Sequence, residues 1–138
     1  MNVVRHRPAA RFDQIRPAGF RILAAIDHAA QACRVDLMIT SGTDSHAITD
    51  PHASGEAYDV SVHQLSAQQI ADVKAILERT LGSLFTVLYE VPKVPSDPTL
   101  RPIAYVNLKA TGPHFHIQRR KGTVFPPEPV TPPAPMVA

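Results

Sequence analysis

Tryptophan is absent from this 138-residue chain, and cysteine occurs once, as Cys33. A lone thiol excludes an intrachain disulfide and any zinc or iron–sulfur site built on clustered cysteines. Cys33 instead continues the apolar spacing Phe20, Leu23, Ile26, Ala30, which marks it as a small core residue. Aromatic residues make up 6% of the chain, too few for the stacking platform of a single-strand nucleic-acid binder. Neither charge sign dominates: 14 basic residues against 12 acidic ones leave a formal charge of +2. That balance lacks the electrostatic footprint of a specific nucleic-acid partner. No apolar run approaches the ~20 residues of a membrane span, so membrane insertion is not expected. The opening stretch, MNVVRHRPAARFDQIRP, has no apolar core of a secretory signal, which predicts synthesis in the cytoplasm.

What the chain does hold is proline, histidine and a clear order of local patterns. The length suits one domain with its own core. Residues 1–18 carry arginines and no clear period, and read as an N-terminal arm. The basic residues Arg5, His6, Arg7, Arg11, Arg16 and Arg21, and later Arg119, Arg120 and Lys121, are either solvated surface or a loose attraction to an anionic polymer such as a wall glycan or DNA. The helical spacing over 19–33 predicts a first helix. LMITS at 37–41 reads as a short buried strand, and 42–51 as a loop rich in turn formers. EAYDVSV at 56–62 alternates as a strand, with Tyr58, Val60 and Val62 on one side and Ala57, Asp59 and Ser61 on the other. A second helix is expected over 67–81, with Ser66 and Gln69 as a capping box and Gly82 as its stop. FTVLYE at 85–90, IAYVNLK at 103–109 and HFHIQ at 114–118 read as further strands, the first two separated by a proline-rich loop. The proline-rich tail, 125–138, is expected to stay extended or disordered outside the core. The main domain is therefore placed at 19–124. Its order predicts an α+β fold with an antiparallel or mixed sheet and helices packed on one face.

Chemistry concentrates in two stretches, DPHASGEAYD at 50–59 and GPHFHIQ at 112–118. His114 and His116 are two apart on a strand, so they share a face, opposite Phe115 and Ile117. Asp59 lies opposite Tyr58 and Val60. Two strands of one sheet can therefore aim Asp59, His114 and His116 into one cleft. His52 enters from the loop before Asp59, where Gly55 permits a sharp turn. Three such side chains can close a His, Asp, His set around Zn²⁺ and leave a fourth position for water, although other first-row metals would accept the same ligands. The remaining histidine is placed to move a proton. Against this stands the ordinary reading, in which these histidines are surface or hydrogen-bonded residues of a histidine-rich chain.

The two stretches together carry a resemblance. HASGEAYD fits His-x-x-Gly-x-Ala-x-Asp, follows ITSGTDSH, and is joined downstream by HFH. In this the chain resembles the zinc D-Ala-D-Ala carboxypeptidase and L-alanyl-D-glutamate endopeptidase family, and within it a phage endolysin-like branch. The resemblance runs from about residue 19 to 119. It implies a hedgehog-type, DD-peptidase-like α+β fold and cleavage of peptidoglycan stem peptides. It implies one zinc ion held by His52, Asp59 and His116. It makes His114 the catalytic histidine beside the metal, acting in proton transfer or transition-state stabilisation. Gly55 and Ala57 would then be packing residues.

One departure stands out. Many family members read Ser-Gly-Tyr-Arg-Ser where this chain has Ser41, Gly42, Thr43, Asp44 and Ser45. The family arginine steadies developing negative charge on the substrate carbonyl, and a carboxylate at 44 would repel it. His46, if protonated, is a candidate donor in its place. Ser41 could contact substrate or simply end its strand. Glu90 could orient a ligand histidine, serve as a second base, or be a solvated strand-end carboxylate. The resemblance implies a wall-peptide hydrolase that acts after release from the cell or as part of a phage particle. The other reading is a non-catalytic, metal-containing descendant that binds the wall or serves a structural role.

Overall fold

The computed structural model describes residues 1–8, 10, 12, 15–42 and 56–122. Nine short segments build it: β1 Val4–His6, α1 Pro17–Cys33, β2 Leu37–Ser41, β3 Ala57–Ser61, α2 Ala67–Leu81, β4 Phe85–Val91, a 3₁₀ turn Arg101–Ile103, β5 Ala104–Val106 and β6 His114–Arg119. The six strands form one mixed sheet in the order β1-β2-β3-β6-β4-β5. The centre is antiparallel, β2 on β3, β3 on β6 and β6 on β4, and each outer strand runs parallel to its neighbour. The fold is thus α+β, with two helices against one face of the sheet.

Local chemistry explains the helices. Pro17 occupies the first turn of α1, where its missing N–H costs nothing. The helix stops at Arg34, which adopts a left-handed conformation with φ 55° and returns its N–H to Ala30 and Gln31. In α2 the Ser66 side chain accepts from the Gln69 N–H while Gln69 reaches back to Ser66, the capping box that the sequence predicts. Gly82, at φ 75°, closes the C-terminal end.

Packing follows the alternation of the strands. Tyr58, Val60, Phe115 and Ile117 lie under the helices, each no more than 1% exposed. They meet Ile22, Ala25, Ile26 and Ala29 of α1 and Ile70, Val73 and Leu77 of α2 in one core. At roughly 25 cal/mol per Å² of apolar surface removed from water, this layer is the main source of stability.

Three expectations are corrected. The stretch expected as an N-terminal arm contributes a strand: Val4, Arg5 and His6 pair with Leu37, Met38 and Ile39, and Phe12 packs against the core. Three residues of mixed polarity give no period to detect, and only the partner strand defines them. Phe20 is 60% exposed, so it drops out of the expected stripe of α1, while Ile26 and Ala30 are buried and Leu23 and Cys33 are partly buried against the core. The buried face is centred on Ala18, Ile22, Ala25, Ile26, Ala29 and Ala30, where the small alanines let the helix approach the sheet closely. Finally, the strand expected over 103–109 is cut to Ala104–Val106, because Asn107 turns the chain by accepting from the Lys109 N–H at 3.0 Å. Cys33 is partly buried against the core, and burial raises its thiol pKa. No described helix is long and apolar enough to cross a membrane. The proline-rich tail beyond residue 122 lies outside the described residues.

Candidate functional site

The sheet face away from the helices carries the polar half of the same alternation. The register of β3 on β6 sets Asp59 directly opposite His116 and Ser61 opposite His114. The register of β4 on β6 sets Glu90 opposite His114. Side chains directly across a ladder are neighbours, so the pairing alone gathers Asp59, His114, His116 and Glu90. Their exposures, 15–18%, leave them shielded yet reachable.

Hydrogen bonds fix the rings. Asp59 Oδ1 accepts from His116 Nδ1 at 2.9 Å, and Gln118 Oε1 accepts from His116 Nε2 at 2.7 Å. The carbonyl of Gly112 lies 2.9 Å from His114 Nδ1 and can only accept, so that nitrogen carries a proton. His114 Nε2 then faces Glu90 Oε1 at 3.0 Å and Asp59 Oδ1 at 3.9 Å. Burial pulls the His116 pKa down, but the bonds to Asp59 and Gln118 and the charges of Asp59 and Glu90 outweigh it and raise the pKa overall.

Two further devices shape the cleft. A register shift between Ile39 and Ser41 brings Ser41, one residue late, opposite Asp59. Such a bulge re-aims the side chains beyond it, and both Thr40 and Ser41 line the cleft. At the start of β3, Glu56 receives both arms of the Arg119 guanidinium, at 2.6 and 3.2 Å. This fork ties the entrance of β3 to the end of β6 and locks the register on which the site depends.

Of the residues singled out in the sequence, the structure brings Asp59, His114, His116 and Glu90 into one group and sets Ser41 at its rim. His52, Asp44, His46 and Gly55 lie outside the described residues. Among the described residues, no set of three His, Cys, Asp or Glu side chains meets the geometry of a metal-holding group. The donors that are described still match zinc chemically. Ligand atoms of a tetrahedral zinc, bonded at ~2.0–2.1 Å, sit about 3.3 Å apart. Of the expected ligands, Asp59 and His116 are described, and their donor atoms lie 2.9 Å apart, a few tenths of an ångström short of that spacing. Gln118 on Nε2 leaves Nδ1 as the only nitrogen of His116 that faces Asp59.

Sequence reasoning missed Gln118, Arg7 and His63. Gln118 shares the period-two face of His114 and His116, which is a usable signal. His63, two residues past Ser61, lines the cleft by the same logic. Arg7 gave no signal, because it reaches the cleft only through the pairing of β1. Searches against family models, curated proteins and solved structures return no match to this chain.

Proposed function

We propose that this chain is a zinc-dependent peptidase that cleaves peptide bonds of bacterial peptidoglycan, as a D,D-carboxypeptidase or endopeptidase, on a hedgehog-type, DD-peptidase-like fold. The observation that carries the reading is Asp59 Oδ1 flanked by His116 Nδ1 at 2.9 Å and His114 Nε2 at 3.9 Å on the solvent face of the sheet. The spacing His-x-x-Gly-x-Ala-x-Asp and the HFH strand support it from the sequence side.

In this reading His52, Asp59 and His116 hold one zinc ion. When bound, zinc supplies a Lewis acid for the scissile carbonyl and an ionisable water. The chain's own groups do the rest. Gln118 holds His116 by Nε2 and keeps Nδ1 pointed at the ligand position. Gly112 holds His114 by Nδ1, so Nε2, which faces Glu90, is the nitrogen left to take a proton from the attacking water and return it to the leaving amine. Glu90, 3.0 Å from that nitrogen, steadies the imidazolium while the proton is in transit. Such an enzyme would act on the wall as a released lysin or as a part of a phage particle.

A second reading is a non-catalytic wall-binding or structural descendant of the same fold. It is favoured by Asp44, which stands where the resembling enzymes carry arginine. Elemental analysis of wild type and Asp59→Ala, paired with zymography on purified peptidoglycan, tests both. The enzyme reading expects about one zinc per chain, lost in the variant, and clearing that disappears in His114→Ala and in chelated protein. Zinc without clearing by wild type selects the descendant. No zinc in wild type overturns both.

A further inference from the structure

Arg7 sits just past β1, where its N–H bonds the Ile39 carbonyl at 2.8 Å, so its backbone belongs to the sheet. Its side chain is exposed and lines the cleft that also holds Asp59 and His114. Among the described residues no hydrogen bond or ion pair engages its guanidinium. The surrounding polar groups are the hydroxyls of Thr40, Ser41 and Ser61 and the imidazole of His63, with Thr40 Oγ1 donating to the Asp59 carbonyl and Ser61 Oγ accepting from the His63 N–H. The one carboxylate in the lining, Asp59, is already held by His116. An exposed guanidinium that no group engages among the described residues, set on a backbone held by the sheet and in a polar basin, is the arrangement of an anion receptor. A planar guanidinium fork matches a carboxylate in particular, because two parallel N–H bonds fit its two oxygens.

The geometry points to Arg7 as the residue that binds the free C-terminal carboxylate of a peptide substrate, on the β1 side of the Asp59–His114 pair. This rests on the peptidase reading and narrows it to cleavage near a chain end. The basin, at about 350 Å³, is at the small end of ligand sites and suits a terminal residue better than a continuing chain. It also supplies, from the first strand, a positive group on a cleft whose resembling enzymes draw theirs from the position of Asp44.

The test uses the full chain, chelated so that no turnover intervenes. Acetyl-Lys-D-Ala-D-Ala and its C-terminal amide are titrated while the Arg7 Nε–H resonance is followed by NMR. The carboxylate peptide is expected to shift that resonance and to bind at least ~10-fold more tightly than the amide. Arg7→Gln should erase the difference between the two peptides, and Arg7→Lys, which keeps the charge without the fork, should restore part of it. Equal affinities in wild type, an undiminished preference in Arg7→Gln, or no response at Arg7 to millimolar carboxylate peptide would each overturn the assignment. Zinc-loaded protein run in parallel separates the two ideas. Cleavage without Arg7-dependent carboxylate preference sinks this inference alone, and preference without cleavage sinks the peptidase reading alone.

Discussion

On the helix side of the sheet, β3 and β6 present Tyr58, Val60, Phe115 and Ile117, sealed from water. On the other side the same two strands present Asp59, Ser61, His114 and His116, each joined to polar partners and reachable from solvent. One alternation thus makes a core and a site from adjacent residues. The two faces differ in what they ask of a side chain. The core face asks for volume and the absence of polar atoms. The site face asks for particular atoms at particular separations. Substitutions one residue apart should therefore fail in different ways.

The largest expected effect is at Phe115. It is wholly buried between the sheet and the helices and stacks at a tilt on Tyr89, with ring centroids 6.1 Å apart. Phe115→Ala should cost about 3–5 kcal/mol of stability, read from urea unfolding. His114→Ala, its neighbour, should cost about 1 kcal/mol or less while abolishing the proposed peptide cleavage. Comparable losses of stability at both positions would mean that the site face is structural.

The next effect sharpens the site face alone. Gln118→Leu keeps the volume near His116 but removes the oxygen that accepts from Nε2. Partners of this kind are worth roughly 10–100-fold in metal affinity. Zinc affinity measured by competition with a chelating dye should fall by about that factor, with the unfolding midpoint of the metal-free protein little changed. Unchanged affinity would show that Gln118 does not orient the ring.

How much of this was legible depends on distance along the chain. The capping box of α2 spans four residues, so Ser66 and Gln69 announce it locally. The faces of β3 and β6 are likewise written in the period-two pattern around Asp59 and His116. What those patterns do not contain is that the two strands are neighbours, with the paired side chains 57 positions apart. Only the spacing of the histidine and glycine motif hinted at that pairing. Features created by pairing itself were invisible: β1, the shift that re-aims Ser41, and the arrival of Arg7 in the cleft. Phe20 misled for a related reason. Helical spacing marks possible stripes, but the close fit of alanines on the sheet decides which stripe is buried.

The third effect concerns charge at the meeting of the two faces. In metal-free protein the His116 pKa lies above its ordinary value, because Asp59 and Gln118 favour the imidazolium more than burial opposes it. The folded state then binds a proton more tightly than the unfolded chain does. That stabilisation is complete below the unfolded value of ~6.5 and is lost as pH rises through the raised folded pKa. The urea midpoint of chelated protein should accordingly decline across this range, and Asp59→Asn should flatten the decline. Zinc must displace that proton, so zinc affinity should rise with pH over the same window. A midpoint indifferent to pH in wild type would remove the coupling.

The smallest effect at neutral pH is expected from the one side-chain polar atom that, among the described residues, is buried without a partner. Tyr58 is fully buried, and its hydroxyl makes no hydrogen bond among the described residues. Its ring lies parallel to that of Phe12, with centroids 6.0 Å apart, so the apolar part of the side chain is well used and only the oxygen is misplaced. Tyr58→Phe removes that oxygen and keeps the ring. Stability at pH 7 should hold or rise by about 1 kcal/mol, since an unpaired buried hydroxyl costs roughly that much or more. The contrast appears in alkali. Burial pushes the Tyr58 pKa up to about 12, so ionisation is resisted in the folded protein and free in the unfolded chain, whose phenol titrates near 10. With the folded pKa above the unfolded one, its contribution is intact below pH ~10 and drains away as pH climbs toward the folded value. Wild type should therefore lose stability on that limb more steeply than Tyr58→Phe, and the two unfolding curves, separate at neutral pH, should diverge further there. Parallel alkaline limbs would show that the hydroxyl is not held in the dry core, and that the division between the two faces is less complete at Tyr58 than at Phe115.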